Sequence, residues 1–547
     1  MALHVPKVGL QTMMKSGAKH YSGMEEAVYR NIGACKEIAQ IVRTSFGPNG
    51  MNKMILNHLD KLFVTNDAAT IIKELEVEHP AARLVVLASQ QQEHEAGDAT
   101  NLVIILAGKM LEKAETLLRM GLSPPEVIEG YEMALEKALE VLPELACHTV
   151  EDFRDKAQVK RAIKTVIMSK QNGLEDFLSE LVTDACVDIM PKEESRKPFN
   201  VDNVRIVKIP GSGVFSSSVV RGMVFTRNIH SSITSAQDAR IAAFTADLDH
   251  AYTETKGTVL LNTAEELKSY SKDEESVLEK KIKAIKDSGA SVIVTTGKVG
   301  DLGMHFCNRF ELLVVKLNSK FDLKRLCRAT GATALPVLTG PSSQELGHCH
   351  SVSVQEIGDT TVTVFRQADI NSAVSTIIVR GATSNVMDDV ERALDDGINA
   401  YKSLTKEQRF LPGGGATEIE LARLITKFGD TCSGLEQYAI KSYAEALEVV
   451  PATLAENCGV KSREVVSNLY AAHENGEKNA GYDILSEDVA VADMNEAGVY
   501  DSFHAKVWAL KYATRAAKTI LRVDQIIMAK KAGGPKPPKQ NPNWDED

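Results

Sequence analysis

The chain has 547 residues and a formal net charge of -11, with 44% hydrophobic, 25% charged and 5% aromatic residues. That length exceeds what one hydrophobic core organises, so several domains are expected. The acidic balance argues against a nucleic-acid binder, which would carry a basic face, and the few aromatics disfavour a carbohydrate- or base-stacking surface.

Residues 1–23 contain Lys7, Lys15, Lys19 and His20 and no apolar core segment, so no secretory signal is expected. The densest apolar run, Leu102 to Leu111, is broken by Gly108 and Lys109, so no membrane association is expected. The eight cysteines are scattered and form no Cys-x-x-Cys pair, which fits free thiols in a reducing, cytoplasmic compartment. His348-Cys349-His350 is the one metal-like cluster. Sequence neighbours point in different directions and no second ligand pair is near, so a loop or core position is expected instead.

In chain order, residues 1–23 read as a mobile arm with some local structure. Met24, Ala27, Val28, Ile32, Cys35, Ile38, Ala39 and Val42 repeat at steps of three and four, the period of an amphipathic helix. Gly47-Pro48-Asn49-Gly50 ends it in a turn that exposes backbone amides. Lys53 follows, but the Gly-Lys-Ser/Thr ending of a Walker loop is absent. A short strand at Leu62-Phe63-Val64 leads into Asn66-Asp67-Ala68-Ala69-Thr70 and a helix, which places Asp67 at a strand-to-helix junction. Gly97-Asp98-Ala99-Thr100-Asn101 separates two further helices. Ser123 before Pro124-Pro125 predicts an N-cap with proline in the first turn.

Residues 151–200 stay helical around a loop, Ser169-Lys170-Gln171-Asn172-Gly173. From Asn203 to Val379 β-branched runs alternate with helical pieces, which predicts an α/β domain embedded in a helical chain. Polar residues 252–275 predict a surface excursion from it. The helix from Val386 to Tyr401 carries Asp388, Asp389, Glu391, Asp395 and Asp396, most of them on a solvated face. Pro412-Gly413-Gly414-Gly415-Ala416-Thr417-Glu418 precedes more helices; three glycines cost entropy and suit either a hinge or close approach of a ligand. Strand-like pieces follow around Gly481 to Val491. A last helix runs from about Phe503 to Arg522, and a Pro/Lys-rich tail, 533–547, is expected to be disordered. Helical ends around an α/β middle predict nested domains.

Two readings of Asp98 and Thr100 stand side by side: caps of the next helix, or a magnesium ligand and a phosphate contact at a helix start. Converging carboxylates would repel one another unless a cation joins them. Magnesium with a triphosphate would do so, pointing to non-Walker handling of ATP.

Five stretches together, Ser45–Met54, Thr65–Ile71, Gly97–Thr100, Pro412–Glu418 and Arg522–Ile527, resemble the signatures of group II chaperonins, in the family's order and across nearly the whole chain. Met1–Pro6, Ala68 and Ala532–Pro538 add a finer match to one subunit type of the eukaryotic cytosolic chaperonin. The resemblance implies a multidomain chaperonin-like fold. A mainly α equatorial ATP-binding domain would comprise residues 1–151 and 407–547. A small α/β intermediate hinge domain would comprise 152–217 and 374–406, and an inserted α/β apical domain 218–373, its excursion a lid-forming protrusion.

It further implies ATP and Mg2+ as cofactors. Gly47, Pro48 and Gly50 would shape the phosphate loop. Asp98 would bind magnesium beside Ala99, Thr100 and Asn101, and Asp67 would lie at the γ-phosphate. Asp396 would be the catalytic aspartate, Lys170 the γ-phosphate sensor, Gly414 a nucleotide contact and Asp501 the ribose acid. Paralogous subunits in a hetero-oligomeric double ring, and unfolded clients including actin and tubulin, are the implied partners. The chain departs from the family at Ala68 and Ala99, where glycine is usual, at Asn101, where threonine is common, and at Ser502, where proline often stands. Alanine at 99 is expected to exclude a glycine-only backbone and to slow hydrolysis. The alternative is a ring subunit that holds nucleotide without turning it over. A small-molecule kinase would need an acceptor site that the chain does not display.

Overall fold

The computed structural model describes residues 19–23, 27–190, 199–229, 231–249, 264–367, 374–486 and 490–528, with 19–22 and 264–274 as backbone only. The expected tail 533–547 and most of the N-terminal arm lie outside the described residues. Of the excursion, residues 252–263 lie outside them too, while Ala264–Asp287 is one helix.

The helix Thr100–Arg119 is the axis of the helical part. Leu102 through Gly108 are all buried, the signature of a helix enclosed on every side. It packs against Tyr29–Arg43 from the front of the chain and against Glu436–Leu447 and Phe503–Leu521 from the back. One apolar cluster therefore runs from Val28 to Leu145 and from Leu411 to Leu521. Tyr131, from Pro124–Val141, meets Tyr443 edge-on at 5.6 Å and donates to the Met110 carbonyl at 2.8 Å. Ser123 caps its helix as expected, its N–H donating to Glu126 Oε2 at 2.8 Å.

A second cluster packs Lys156–Met168, Glu175–Ile189 and Ser384–Lys406 together with Val204, Ile377 and Val379. The latter residues belong to a nine-stranded mixed sheet. Its order is Val204–Pro210, Ser375–Gly381, Ser218–Phe225, Thr360–Arg366, Gly347–Ile357, Ser235–Phe244, Val292–Thr295 and Leu313–Lys316, with Ala334–Leu335 beside Ser235–Phe244. Further apolar clusters cover this sheet.

The strand Gly347–Ile357 absorbs His348-Cys349-His350: Cys349 is buried, the two histidines face outward, and the loop alternative is set aside. Sequence reading missed this strand because only its first residues alternate cleanly. It also missed Lys53–Leu56, which pairs with Leu62–Thr65 as a hairpin. A small sheet, His148–Thr149, Arg409–Pro412 and Tyr500–Ser502, joins the two cores and sets Asp501 opposite Leu411, just before the triple glycine.

Gly108 is where Thr100–Arg119 and Tyr29–Arg43 come closest: a Cβ there would stand 2.3 Å from that of Ala39. Gly108→Ala is expected to lower stability by about 1–3 kcal/mol through overpacking, reversing the gain of about 1 kcal/mol that alanine gives in an open helix. A urea midpoint that stays or rises would contradict this packing.

Candidate functional site

The loops singled out in sequence surround one cavity of about 680 Å3, inside the roughly 300–1,000 Å3 common for small-molecule sites. Gly47, Pro48, Asp98, Ala99, Thr100, Asn101, Lys170, Gly414 and Asp501 all line it. Gly50 stands behind the wall, where its N–H closes the turn onto Gly47 O at 2.9 Å. Asn457 braces the same loop by donating to Phe46 O at 2.7 Å and Arg43 O at 3.1 Å. Asn101 ties two loops together: its Oδ1 accepts from Ala68 N at 3.2 Å and its Nδ2 donates to Ser45 O at 3.4 Å. Gly414 O accepts from Tyr482 N at 2.9 Å, which fixes the opposite wall.

Asp67 and Asp396 sit behind Lys170 and do not line the cavity. Lys170 Nζ lies 2.6 Å from Asp67 Oδ1 and 3.4 Å from Asp396 Oδ2, with side chains only 10%, 13% and 19% exposed. Asp67 also accepts from Thr70 N and Oγ1, at 2.9 and 2.7 Å, as the N-cap of Ala68–Glu74. Burial pushes the Asp67 carboxyl up, but the Lys170 ammonium and the bonds from Lys170 and Thr70 prevail and hold it far below the usual carboxylate range. Lys170 is likewise raised: burial opposes its charge, and Asp67, Asp396 and Asp98 overcome that. For Asp396, burial wins, aided by Asp67 and Asp98 against Lys170, and its carboxyl is raised well above normal. Burial raises Asp98 as well, against the Ala99 N–H. The carboxylates converge on a lysine, which supplies the cation that their mutual repulsion requires.

Asp396 is brought in by a close helix contact. Gly97 has φ +71°, and a Cβ there would stand 2.2 Å from that of Asn399, on the same helix as Asp396. Ser403 Oγ donates to Ala96 O at 3.3 Å just beyond. Only glycine serves at 97, where the left-handed backbone disfavours a side chain and the close approach to Asn399 excludes one.

The capping expectation for Asp98 and Thr100 is corrected. Ala99 takes the cap position at φ +64°, ψ +24°, and Thr100–Arg119 has no side-chain cap. Asp98 stands one residue too early; its Oδ1 accepts the Ala99 N–H at 2.6 Å. The first amides of a long helix are thus left toward the cavity, a setting that favours anions. Ala99 itself adopts the left-handed region, which is open to an L-residue at about 1–2 kcal/mol, so the backbone here is not one that only glycine can take. Ala68 lies in the first turn of a helix at ordinary φ and needs no glycine geometry.

Sequence reading missed two charged residues of the site. Lys506 Nζ lies 2.5 Å from Glu418 Oε1 and 2.7 Å from Asp501 Oδ2, with Lys506 and Glu418 both buried. The available signal was a lysine among alanines on the inner face of Phe503–Leu521 and a glutamate in the first turn after the triple glycine.

Among the described residues no three His, Cys, Asp or Glu side chains form a metal-holding group of their own. Asp98 is one of the carboxylates that line the cavity and stands at the start of Thr100–Arg119.

The model of the TCP-1/cpn60 chaperonin family matches residues 38–531. The chain is 58% identical over 548 residues to the proteins named T-complex protein 1 subunit theta of Gallus gallus and Homo sapiens, covering 100% of both chains in each case. Against the protein of that name in Caenorhabditis elegans it is 51% identical over 538 residues, covering 98% of this chain and 97% of the other. The finer subunit match expected from both termini and Ala68 agrees with these relatives.

Lys170→Met tests the charge balance. Removing the ammonium leaves burial of Asp67 opposed only by the Thr70 bonds, so its folded carboxyl moves up from its depressed value, and Asp396, already raised, moves further up. A depressed carboxyl gives stability present above about pH 4 and lost below it; a raised one gives stability that falls as pH rises above about 4. The substitution should therefore cost about 3–5 kcal/mol at pH 7.5, as for one partner lost from a buried pair, and clearly less at pH 5. Urea unfolding at both pH values checks this; an equal cost at both would contradict it.

Proposed function

The chain belongs to the TCP-1/cpn60 chaperonin family, and from that premise we propose that it is an ATP-hydrolysing subunit of a hetero-oligomeric cytoplasmic chaperonin. Paralogous subunits would complete a double ring whose closed chamber folds unfolded proteins, actin and tubulin among them. Residues 1–151 and 407–547 form the nucleotide-binding unit, 152–217 and 374–406 the hinge, and 218–373 the client-binding unit.

The observation that carries this reading is the meeting of Lys170 and Asp396, both from the proposed hinge segments, with Asp67, behind the cavity wall that Lys170 forms. Three further contacts bind the same segments to the nucleotide-binding unit. Arg161 donates to Asn495 O at 2.9 Å, Tyr500 N donates to Thr165 Oγ1 at 3.1 Å, and Lys406 pairs with Glu95 at 2.8 Å. Catalytic groups on a separate unit make chemistry conditional on docking.

Asp98 suits magnesium, which when bound supplies charge neutralisation at the phosphates. The free amides at Thr100 and Asn101 and the Gly47–Pro48 turn receive the phosphate oxygens. Lys170, with three donors, exchanges Asp396 for an oxygen of the terminal phosphate. Asp396, whose proton affinity is raised by burial, would act in its ionised form to orient a water and accept its proton, while Asp67 stays ionised beside it. The proton would move from water to an Asp396 oxygen as the water attacks the γ-phosphorus in line and its bond to the bridging oxygen breaks, so that ADP leaves with that electron pair and inorganic phosphate is the other product; only ATP changes covalently.

Ala99 favours slow turnover in this subunit. Its methyl stands at a cavity wall where glycine is usual in the family, and its left-handed backbone is held at a cost. In the limit the subunit holds nucleotide and shapes the chamber without hydrolysis.

Asp396→Ala in this chain alone, within the assembled complex, should lower the ADP formed at this subunit about 10^2–10^4-fold and leave ATP binding intact. Total ATPase of the complex should fall only slightly. A large fall in the total would contradict slow turnover here. Persistent ATP at the unsubstituted subunit after several turnovers would favour the purely structural role.

A further inference from the structure

Helix Ala416–Thr431 begins at the triple glycine and sends Glu418 inward in its first turn. Glu418 is 1% exposed, Lys506 is 5% exposed, and the lysine joins Glu418 to Asp501 across 2.5 and 2.7 Å. Burial disfavours the Lys506 charge, yet Asp501 and Glu418 hold its pKa above the ordinary lysine value. Glu418 Oε2 is buried with no hydrogen-bond partner. Asp501 Oδ1 makes no hydrogen bond or ion pair among the described residues, and Asp501 lines the cavity.

The charge count explains why two carboxylates share one lysine. Lys506 with Asp501 alone would be a neutral pair, and the lysine would compete for the oxygens Asp501 offers to a ligand. Glu418, fixed and buried, satisfies the ammonium from behind, so the triad keeps one net negative charge, at its only solvent-reaching member. Lys506 meanwhile pins one oxygen of Asp501 and so fixes the direction of the other. A carboxylate pinned at a cavity wall recognises vicinal hydroxyls, accepting from their O–H groups at little entropy cost.

We infer that Lys506 and Glu418 are positioning residues that aim Asp501 at the ribose hydroxyls of a bound nucleotide and so set this subunit's selectivity for ribonucleotides. The inference rests on the proposed ATP site. Lys506 acts through Asp501 and touches no reacting atom.

Lys506→Met alone would strand Glu418 as a buried, unpaired charge and endanger folding. The test variant is therefore the double substitution Glu418→Gln with Lys506→Met, which removes both buried charges together, with Lys506→Arg as the conservative control. The readout is photolabelling of this chain by 8-azido-ATP in the complex purified with its partner subunits, competed by ATP, 2′-deoxy-ATP and 3′-deoxy-ATP. Unsubstituted protein should prefer ATP over at least one deoxy analogue by about tenfold, the worth of a hydrogen bond to a charged acceptor. The double variant should bring that ratio to within about twofold while ATP still competes, and Lys506→Arg should restore it, since a guanidinium keeps the anchoring charge. A double variant that discriminates like the unsubstituted chain would overturn the inference, and so would one that loses ATP competition altogether. Absence of ATP-competable labelling in the unsubstituted chain would instead strike the proposed ATP site, and this inference with it.

Discussion

The structure turns on one ammonium group among carboxylates. Asp67 and Asp396 come from segments far apart in sequence, Asp98 stands near, and burial raises the cost of ionising each of them. Left alone they would repel one another or take up protons. Lys170 resolves the conflict, and because it comes from the proposed hinge segment, the resolution also ties that segment to Asp67 in the proposed nucleotide-binding unit. Electrostatic need and interdomain geometry are the same contact. Under the proposed function, a nucleotide with its metal would offer the carboxylates another cation and the lysine another anion, so binding would reorganise this contact.

A second layer works alike. The helix that follows the triple glycine buries two glutamates, two residues apart, and each is tied to a different wall of the cavity. Glu418 reaches Asp501 through Lys506. Glu420 meets His473 Nδ1 at 2.9 Å and Arg423 at 2.5 Å, and His473 Nε2 lies 2.9 Å from the carbonyl of Ala480, two residues before Tyr482 on the cavity wall. Those bonds outweigh burial and bring the Glu420 carboxyl down to about 2. One helix start thus fixes both walls through charged groups withdrawn from water, where such bonds are strong and a missing partner is costly.

Much of this was legible in sequence because it is local. Helical periods placed Tyr29–Arg43, Thr100–Arg119 and Phe503–Leu521, β-branched runs placed most strands of the large sheet, and small-residue loops marked the cavity. Pairings over long separations were not legible. Lys506 and Glu418 are 88 residues apart, and Lys170 and Asp67 are 103 apart; in sequence each is an ordinary charge that a solvated surface would explain equally well. The strand Gly347–Ile357 was hidden by mixed polarity along most of its length. The capping role of Asp98 was misread because the left-handed turn at Ala99 moves the helix start by one residue.

The most direct measurement is the distance between spin labels placed at Leu87 and Val386, which are 58% and 43% exposed on the helices Pro80–Ala96 and Ser384–Lys406 of the proposed nucleotide-binding and hinge segments. It is made in the assembled complex with no nucleotide added, comparing unsubstituted chain with Lys170→Met. A narrow distribution that broadens and lengthens in the variant is the predicted result. The same narrow distribution in both would mean that the Lys170 contact does not hold the hinge.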